Sequence, residues 1–390
     1  MHKVSVSICS PELEIAAHWS ALIARAPANV FMHPAALKAA SATGFADITM
    51  LLAWAHGTGA PGTGAHGAQG ERLVGVWALQ RMHITPLGPS FLAAPPYNYA
   101  FLSNPVVDPD FTNEAVAAFF DAIERERSLP KVIRLRYLDG SADTYPAITS
   151  ALAARGAQAL KLSERERPYV TKDIGLKKSG STRKKLRQDW NRLSALGAVD
   201  IVNDRAHDAV QNAFETYLTI EAASWKGSRG TALLCDEEDA IFTRRLISDL
   251  AAGGNASVAL LRVDGRAVAA QVLLYCGTTA YTWKTAFDVE FSKFSPGALL
   301  VDKMTEQLFA EAGIEAIESC SPEGGFMNQI WDGRRTSVDM LADVGAKKSL
   351  GFRAVMASER GHAQLRGLRN RLRDATWSIL PKRRGLATPR

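Results

Sequence analysis

Two strand hairpins of similar make-up lie about two hundred residues apart in this chain, and they constrain its fold more than any other feature. The first runs through LLAWAH and RLVGVWAL within 51–79, and the second is VALLRVDGRAVAAQVLLY at 258–275. The second turns through Asp264-Gly265, a strong two-residue hairpin signal. Because the two hairpins occupy the same place in two similar orders of helices and strands, we predict two copies of one α/β unit. Two unrelated mixed domains remain the alternative.

The first half is predicted from apolar periodicity, with turns at Gly, Pro, Asn and Asp. Its helices are predicted at Pro11–Arg25, Asn113–Arg127 and Pro146–Arg155, and its strands at Ile48–Trp54, Leu73–Leu79, Tyr99–Val107 and Val132–Tyr137. Residues 57–70 are rich in Gly, Ala, Thr and Pro and are predicted to form a mobile insertion in the hairpin.

The second half repeats this order. Its strands are predicted at Asp200–Asn203, Ser257–Val263, Arg266–Tyr275, Thr279–Phe287 and Ala316–Glu318, and its helices at Ala206–Ala223, Glu237–Ala252 and Gly297–Ala312. Between the two halves, residues 177–192 have the stripe of a basic amphipathic helix. The length of 390 residues also favours two domains. We therefore predict domains over 1–170 and 171–350, followed by a basic amphipathic helix and tail over 351–390.

The positive charge of the chain is confined to two segments. The formal net charge is +6, but residues 353–390 carry +8 and residues 172–192 carry +6, so the remainder is −8. Such basic segments are more often solvated helix faces than nucleic-acid sites. Nucleic acid is therefore not an expected partner, whereas the tail could touch an anionic membrane surface peripherally.

Several classes of protein lack their usual signals in this sequence. The four cysteines form no C-x-x-C pair, so neither a disulfide framework nor a metal site is expected. The start of the chain lacks a secretory signal, and the longest apolar run is too short to span a bilayer. A cytoplasmic location is expected. No P-loop, dinucleotide fingerprint or G-x-S-x-G elbow occurs.

A helix start after the third strand of the second half is the strongest chemical feature. In YTWKTAFDVEFSKFSPGALL, Pro296 suits the first helical turn and Gly297 lets backbone approach a ligand. The free amides of Gly297, Ala298 and Leu299 would then attract an anion such as a pyrophosphate. The same S-P-G pattern also opens many helices that bind nothing.

These motifs together resemble those of a known superfamily. The hairpin, the segment YTWKTAFD at 281–288, the S-P-G helix start, EAASWKG at Glu221–Gly227 and the basic helix at 177–192 resemble the GNAT acyltransferases. More specifically they look like the CelD-type group, which is related to the FemABX transferases. The resemblance covers about 30–345 and includes Phe31-Met32-His33-Pro34 at the start of the first copy.

The resemblance implies an α/β (α+β) fold and a direct acyl transfer. It implies tandem GNAT-like domains with mixed, mostly antiparallel central sheets flanked by helices. It also implies acetyl-CoA or another acyl-CoA as co-substrate, without metal, and an amine acceptor from a cell-envelope or polysaccharide pathway, such as a sugar nucleotide. The implied donor-binding residues are Thr285, Ala286, Ser295, Gly297, Ala298 and Leu299.

The implied catalytic residues follow from the need to deprotonate the amine. Glu221 and Asp288 are the candidate bases, and Lys284 is counted with them. The implied acceptor-binding residues are Trp225, Lys226, Trp283 and Gln271. The two lysines, Lys226 and Lys284, would suit an anionic acceptor. For Trp225, Trp283, Glu221–Lys226 and Lys284, ordinary packing or surface roles remain open.

The sequence also departs from the family in two places. The pyrophosphate pattern Q/R-x-x-G-x-G/A is reduced to Gly297, and the lysine expected near Met327 is missing. Two alternatives therefore stay open: a FemABX-like transferase that uses aminoacyl-tRNA, and a degenerate GNAT module that acts as a binding or scaffold protein. The acyl chain, N- or O-acylation and the oligomeric state are not indicated by the sequence.

Overall fold

A computed structural model of the chain describes residues 4–56, 71–86, 88–321, 325–345, 349–361 and 364–365. The predicted insertion at 57–70 and the tail from 366 onward lie outside the described residues.

The described chain contains thirteen strands and ten named helices. The strands are β1 (Val4–Cys9), β2 (Ile48–His56), β3 (Glu71–His83), β4 (Ser90–Ala94), β5 (Val106–Val107), β6 (Val132–Asp139), β7 (Gln158–Thr171), β8 (Val199–Val202), β9 (Ala256–Val263), β10 (Arg266–Cys276), β11 (Thr279–Phe287), β12 (Ala316–Glu318) and β13 (Arg334–Asp343). The helices are α1 (Ala16–Ile23), α2 (Pro34–Ala42), α3 (Thr112–Arg125), α4 (Thr144–Ala154), α5 (Ser181–Ser194), α6 (His207–Ala222), α7 (Trp225–Ser228), α8 (Glu237–Ala252), α9 (Pro296–Ala310) and α10 (Met327–Ile330). A further helix covers 350–361.

One mixed sheet joins the two halves. Its order is β1-β2-β3-β4-β6-β13-β7-β12-β11-β10-β9-β8, with β5 paired to β3. The order reads as one unit followed by its reverse: β1 to β4 and β6 in the first half correspond to β8 to β12 in the second. The only parallel pairs, β4 with β6 and β11 with β12, occupy corresponding places among the described strands. This arrangement confirms the predicted α/β fold with a mixed, mostly antiparallel sheet flanked by helices.

The last strand of each unit is exchanged with the other unit. Strand β7, which follows the first unit, pairs with β12, whereas β13, which follows the second, pairs with β6. The two exchanged strands also pair with each other from Arg334 opposite Pro168 to Asp343 opposite Gln158. The sheet is therefore continuous across residue 170, and the division into two domains there stays a prediction.

A short motif recurs in both units. Asp108-Pro109-Asp110-Phe111 precedes α3, and Asp288-Val289-Glu290-Phe291 precedes α9; each leading aspartate accepts a hydrogen bond from the amide two residues later. Each also pairs with an arginine at the start of a hairpin strand, Arg72 on β3 and Arg266 on β10. Such local agreement supports the duplication that the hairpins predict.

The hairpin turn predicted at Asp264-Gly265 is confirmed. Both residues have positive φ, 48° and 82°, as a type I′ turn requires. Most other predicted elements of the second half lie within two residues of the observed ones. The first half shows larger differences: α1 begins at Ala16 rather than Pro11, and β1, β4 and β7 were not predicted; in the second half, β13 was not predicted.

The predicted strand Tyr99–Val107 is wrong over most of its length. Only Val106–Val107 form a strand. Residues 95–105 form a loop of the first unit that contacts the second unit through Tyr99. Pro95, Pro96 and Pro105 flank or begin this segment and cannot donate ladder hydrogen bonds, which explains why it leaves the sheet.

Candidate active site

The candidate site begins where β11 separates from β12. The parallel pairing covers Thr279 to Tyr281 against Ala316 to Glu318, and β11 then continues to Phe287. No described strand pairs with this side of β11 beyond Tyr281. A register shift between Val272 and Leu273 of β10 places a bulge at Trp283. Such bulges commonly bend a strand and redirect its side chains near functional sites.

Alternation along β11 sends its side chains to two different faces of the sheet. Lys284 pairs with Val272, and Thr285 pairs with Gln271 on the neighbouring strand. Successive residues point to opposite faces, and directly paired residues point to the same one. Lys284 lies against Tyr99 of the first unit, whereas Thr285 faces the start of α9. The strand therefore separates the face of Lys284, which we call the acceptor face, from the face of Thr285, which we call the donor face, after the roles that the sequence resemblance implies for these residues.

The donor face contains a buried amide without a partner. Gln271, predicted to bind the acceptor, shares a face with Thr285 and is fully buried. Neither its Oε1 nor its Nε2 has a hydrogen-bond partner within the described structure. A buried amide left in this state costs free energy and commonly marks a position that a ligand or water completes. Its location assigns Gln271 to the donor face rather than to the acceptor face.

Gly297 lies directly beside Thr285 and Phe287. A Cβ at this position would lie 3.3 Å from Phe287 Cδ1 and 3.6 Å from Thr285 Cγ2. The absence of a side chain therefore lets the first turn of α9 pack closely against β11.

The start of α9 differs from its prediction in its amides. The N–H groups of Ala298 and Leu299 donate to the Ser295 carbonyl at 2.9 and 3.1 Å, so two of the three predicted amides are not free. This is the ordinary role of an N-cap carbonyl. Gly297 N–H has no acceptor among the described residues. Lys185 of α5 adds a cation, since its Nζ donates to Ser295 Oγ at 2.8 Å.

On the acceptor face, Lys284 has an unusual environment. Its Nζ lies 4.2 Å from the ring centre of Tyr99 and 5.3 Å from that of Trp283, and no carboxylate forms an ion pair with it within the described chain. Burial lowers the pKa of Lys284 to about 8, with Lys226 acting in the same direction and Glu221 and Asp239 opposing. A substantial fraction of Lys284 is therefore neutral slightly above neutral pH.

The loop 95–105 of the first unit encloses this lysine. Tyr99, which has a φ of 70°, accepts a hydrogen bond on its carbonyl from Trp283 Nε1 at 2.8 Å. Its hydroxyl donates to Asp239 of α8. Sequence reasoning missed Tyr99 and Asp239, although the aromatic, proline-flanked run 95–105 was a usable signal for a functional loop. Trp283 is buried and packs in the core, as the alternative reading held.

Glu221 is fully engaged inside the protein. It is 1% exposed and accepts hydrogen bonds from Tyr217 Oη at 2.6 Å, Lys226 Nζ at 2.8 Å and Leu233 N–H at 2.9 Å. Burial alone would raise the pKa of Glu221, but Lys226, Leu233 and Tyr217 together hold it below its usual value. A carboxylate held in this way is a weak proton acceptor. Lys226 also donates to the Thr285 carbonyl at 3.3 Å and so links Glu221 to β11.

Asp288 is engaged in the repeated motif. One of its oxygens accepts from Glu290 N–H at 3.0 Å, and the other pairs with Arg266 at 2.5 Å. Because Asp108 has the same two kinds of partner in the first unit, this arrangement belongs to the duplicated scaffold. Each oxygen of Asp288 therefore already has a partner within the protein.

We expect Asp288→Asn to change kcat by about twofold or less. Asparagine keeps a capping oxygen and loses only a partly exposed ion pair, which contributes about 0–1 kcal/mol to stability. Initial rates and a thermal melt measure both effects. A fall in kcat of about 10²-fold or more would restore Asp288 as a base.

A large cleft opens beside the acceptor face. Two cavities of about 870 and 770 Å³ share Phe101, Arg136 and Tyr137 and form this acceptor cleft. Tyr99 and Asp239 line the second cavity. Trp225 is half-exposed on α7, where Arg229 stacks on its ring at 4.9 Å; no contact joins it to the cleft among the described residues.

Two further features bear on the class of protein. Within the described ranges, no group of three or more His, Cys, Asp or Glu side chains could hold a metal ion. Over the same part of the chain, no helix is both long and apolar enough to cross a membrane.

Comparison with known proteins supports this geometry. Residues 180–322 match the family described as Acetyltransferase (GNAT) domain. No curated protein sequence matches the chain. FemX is similar in structure with a TM-score of 0.57 and 12% identity, over 85% of this chain and 96% of FemX. A conserved protein of unknown function from Bacteroides thetaiotaomicron has a TM-score of 0.51 and 12% identity, over 85% and 98% of the two chains.

A tandem GNAT protein from the clavulanic acid biosynthesis pathway has a TM-score of 0.45 and 13% identity, over 89% and 100% of the chains. FemX and the Bacteroides thetaiotaomicron protein have TM-scores above 0.5, but at 12% identity they show only that the chain shares their fold. The matched residues contain α6, β11, the start of α9 and β12, which build the site described above. Residues 180–322 of the second unit are therefore similar to a GNAT acetyltransferase domain, and the chain shares its two-unit fold with FemX.

Proposed function

We propose that this protein transfers an acyl group from acyl-CoA to an amine in a ternary complex. The observation that carries the proposal is the two-sided strand β11, with Lys284 on one face and Thr285, Gln271 and the start of α9 on the other. A donor on one side and an acceptor on the other can then meet at the free edge of β11.

The donor face suits the polar parts of acyl-CoA. We propose that Gly297 N–H and Lys185 hold the pyrophosphate, since an amide at a helix start and a nearby cation both favour an anion. Gln271 has both amide groups available for the pantetheine arm. Thr285 remains a proposed donor residue on the strand, whereas Ala286, whose side chain lies on the face of Lys284, is proposed to contact the donor through its backbone alone; Ser295 acts through its hydrogen bond with Lys185.

The acceptor face supplies proton transfer. We propose that neutral Lys284 removes a proton from the acceptor ammonium, because only the free amine can attack the thioester. The amine nitrogen then bonds to the thioester carbon, the carbon–sulfur bond breaks, and the second nitrogen proton ends on the departing thiol. Glu221 acts as a positioning residue that holds Lys226 against the Thr285 carbonyl.

The subgroup and the class of acceptor are proposed from the sequence motifs. We place the chain in the CelD-type group, with an acceptor from a cell-envelope or polysaccharide pathway. The cytoplasm is the proposed compartment, consistent with four unpaired cysteines in the described chain.

The basic helix α5 offers little support for a tRNA donor. Arg183 pairs with Asp302, Lys185 with Asp189 and Ser295, and Arg192 with Asp189. These cations are thus partly neutralised within the protein and anchor α5 beside α9. Binding of RNA phosphates by Arg183 and Arg192 would have to break those pairs, whereas the ammonium of Lys185 keeps its third N–H for a pyrophosphate beside Ser295.

We expect Gly297→Val to abolish measurable acyl-CoA binding while leaving the fold intact. The added side chain would push the first turn of α9 away from β11, because a Cβ at Gly297 would already lie 3.3 Å from Phe287 Cδ1, and it would so displace the Gly297 amide from the proposed pyrophosphate. Thermal shift with acetyl-CoA reads binding, and circular dichroism checks folding. Gly313→Ala is a matched control, because Gly313 follows α9 and a Cβ there meets nothing within 4 Å, although its positive φ adds local strain. Equal shifts in wild type and Gly297→Val would contradict the proposed donor position.

The activity itself is tested by release of free CoA thiol from acetyl-CoA and longer acyl-CoA thioesters with a panel of amines. The proposal predicts amine-dependent thiol release. Transfer from aminoacyl-tRNA without any thiol release would favour the FemABX-like alternative, and the lack of both reactions would favour a binding or scaffold role.

A further inference from the structure

The acceptor cleft has opposite charge at its two ends. Its first cavity is lined by five cationic and two anionic side chains: Arg136, Lys161, Arg165, Arg167 and Arg360, with Asp339 and Glu359. Its second cavity is lined by three anionic side chains, Asp236, Glu238 and Asp239, on the side of Tyr99, whose ring contacts Lys284, and by Arg134 and Arg136 on the side of the first cavity. An ammonium group is therefore favoured near Lys284, and an oxyanion is favoured at the far end.

Three arginines of the cationic end, Arg136, Arg165 and Arg167, already have partners in the protein, and Arg165 pairs with Asp339 at 2.6 Å. The guanidinium groups of Arg165 and Arg167 lie 5.6 and 5.5 Å from the ring centre of Tyr137. Arg167 is 4% exposed, donates to the Phe101 carbonyl at 2.5 Å and pairs with Glu318 at 3.0 Å. Its Nε has no hydrogen-bond partner within the described structure. Planar guanidinium groups held in fixed orientations are well suited to oxyanions.

A carboxylate of the protein already occupies part of this end. Glu359, on the helix at 350–361, bonds to Arg134 at 3.0 Å and to Arg136 at 2.8 Å. Arg134 and Arg136 lie on β6 and Arg165 lies on β7, the two strands that flank β13 in the sheet. The contact shows that an oxyanion is accepted at Arg136, and it makes Glu359 a competitor for any anionic group that enters the cleft.

We propose that the cationic end binds a phosphate or carboxylate group of the acceptor through Arg136 and Arg165, and that Glu359 competes for this position. The acceptor is then a molecule with an amine at one end and an oxyanion at the other. The amine half rests on the proposed acyl transfer, whereas the oxyanion half stands on the cleft alone.

Calorimetry of the full chain with inorganic pyrophosphate and with malonate, at constant ionic strength and without acyl donor, tests the oxyanion half. Arg136→Gln and Arg165→Gln are each expected to weaken binding about tenfold or more, since each removes a charge-assisted hydrogen bond. Glu359→Gln is expected to strengthen it by about threefold or more, because it removes the competing charge. Preference for pyrophosphate identifies a phosphate-bearing acceptor, and preference for malonate a carboxylate-bearing one.

Two controls locate the bound anion. Arg262→Gln removes an exposed arginine paired with Asp200 at the far edge of the sheet and should leave binding unchanged. Gly297→Val removes pyrophosphate binding at the proposed donor site, so the binding that survives in this variant is the part that Arg136→Gln and Arg165→Gln should weaken. Binding that is lost in Gly297→Val but kept in Arg136→Gln and Arg165→Gln overturns the proposal, as does lack of binding in both wild type and Glu359→Gln. Because no donor is present, loss of acyl transfer alone does not affect this result.

Discussion

Lys284→Met lowers kcat by about 10²- to 10⁴-fold and leaves acyl-CoA affinity unchanged. The size of the effect is that of losing a general base, and donor affinity is preserved because Lys284 and the donor lie on opposite faces of β11. Steady-state rates measured with saturating donor, together with calorimetry of acetyl-CoA binding, separate the two effects.

The pH dependence and a second substitution identify the role of Lys284. Burial is the main cause that lowers the pKa of Lys284 to about 8. Because the neutral form of Lys284 is the base, kcat/KM should rise with pH and level off above about 8. Lys284→Arg keeps a positive charge but cannot lose a proton at these pH values, so it should be as inactive as Lys284→Met. An arginine variant with near wild-type rates would show that Lys284 acts by its charge.

Glu221→Ala lowers the free energy of unfolding by about 3–5 kcal/mol, the usual cost of breaking a buried ion pair. The change leaves Lys226, Leu233 N–H and Tyr217 Oη without their shared acceptor. Urea unfolding at constant pH measures the loss. Glu215→Ala is a control on the same helix, because its pair with Arg244 is exposed and contributes about 0–1 kcal/mol.

The contribution of Glu221 also has a definite pH dependence. Although burial opposes it, the pKa of Glu221 in the folded protein lies below its usual value. Its stabilisation is therefore present above the unfolded pKa and is lost as pH falls through the folded one. The difference in unfolding free energy between wild type and Glu221→Ala should thus shrink on acidification. A difference that does not depend on pH would show that the carboxylate charge does not stabilise the fold.

The sequence predicts the second unit well because its signals are local. The turn at Asp264-Gly265, the long strand Thr279–Phe287 and the Pro296-Gly297 helix start each follow from neighbouring residues. The sequence could not show that the amides of Ala298 and Leu299 have an acceptor, because both donate to the Ser295 carbonyl only once the helix forms.

The first unit and the acceptor cleft depend on contacts between distant residues. Tyr99 meets Lys284 across more than 180 residues of chain, and Arg165 meets Asp339 across the exchanged strands. No local pattern encodes these pairings, since strand exchange is decided by the packing of both units. For the same reason the sequence could not show that Glu221 and Asp288 are both bonded to partners within the protein.

We expect one acyl-CoA site per chain, on the second unit. In the first unit the place that corresponds to the end of β11 is divided between β4, the loop 95–105 and β5, so that unit has no continuous free strand edge beside α3. Calorimetric titration with acetyl-CoA should therefore give a stoichiometry of about one, and Gly297→Val should remove the heat of binding. No binding to wild type, two sites per chain, or unchanged binding to Gly297→Val would contradict the account.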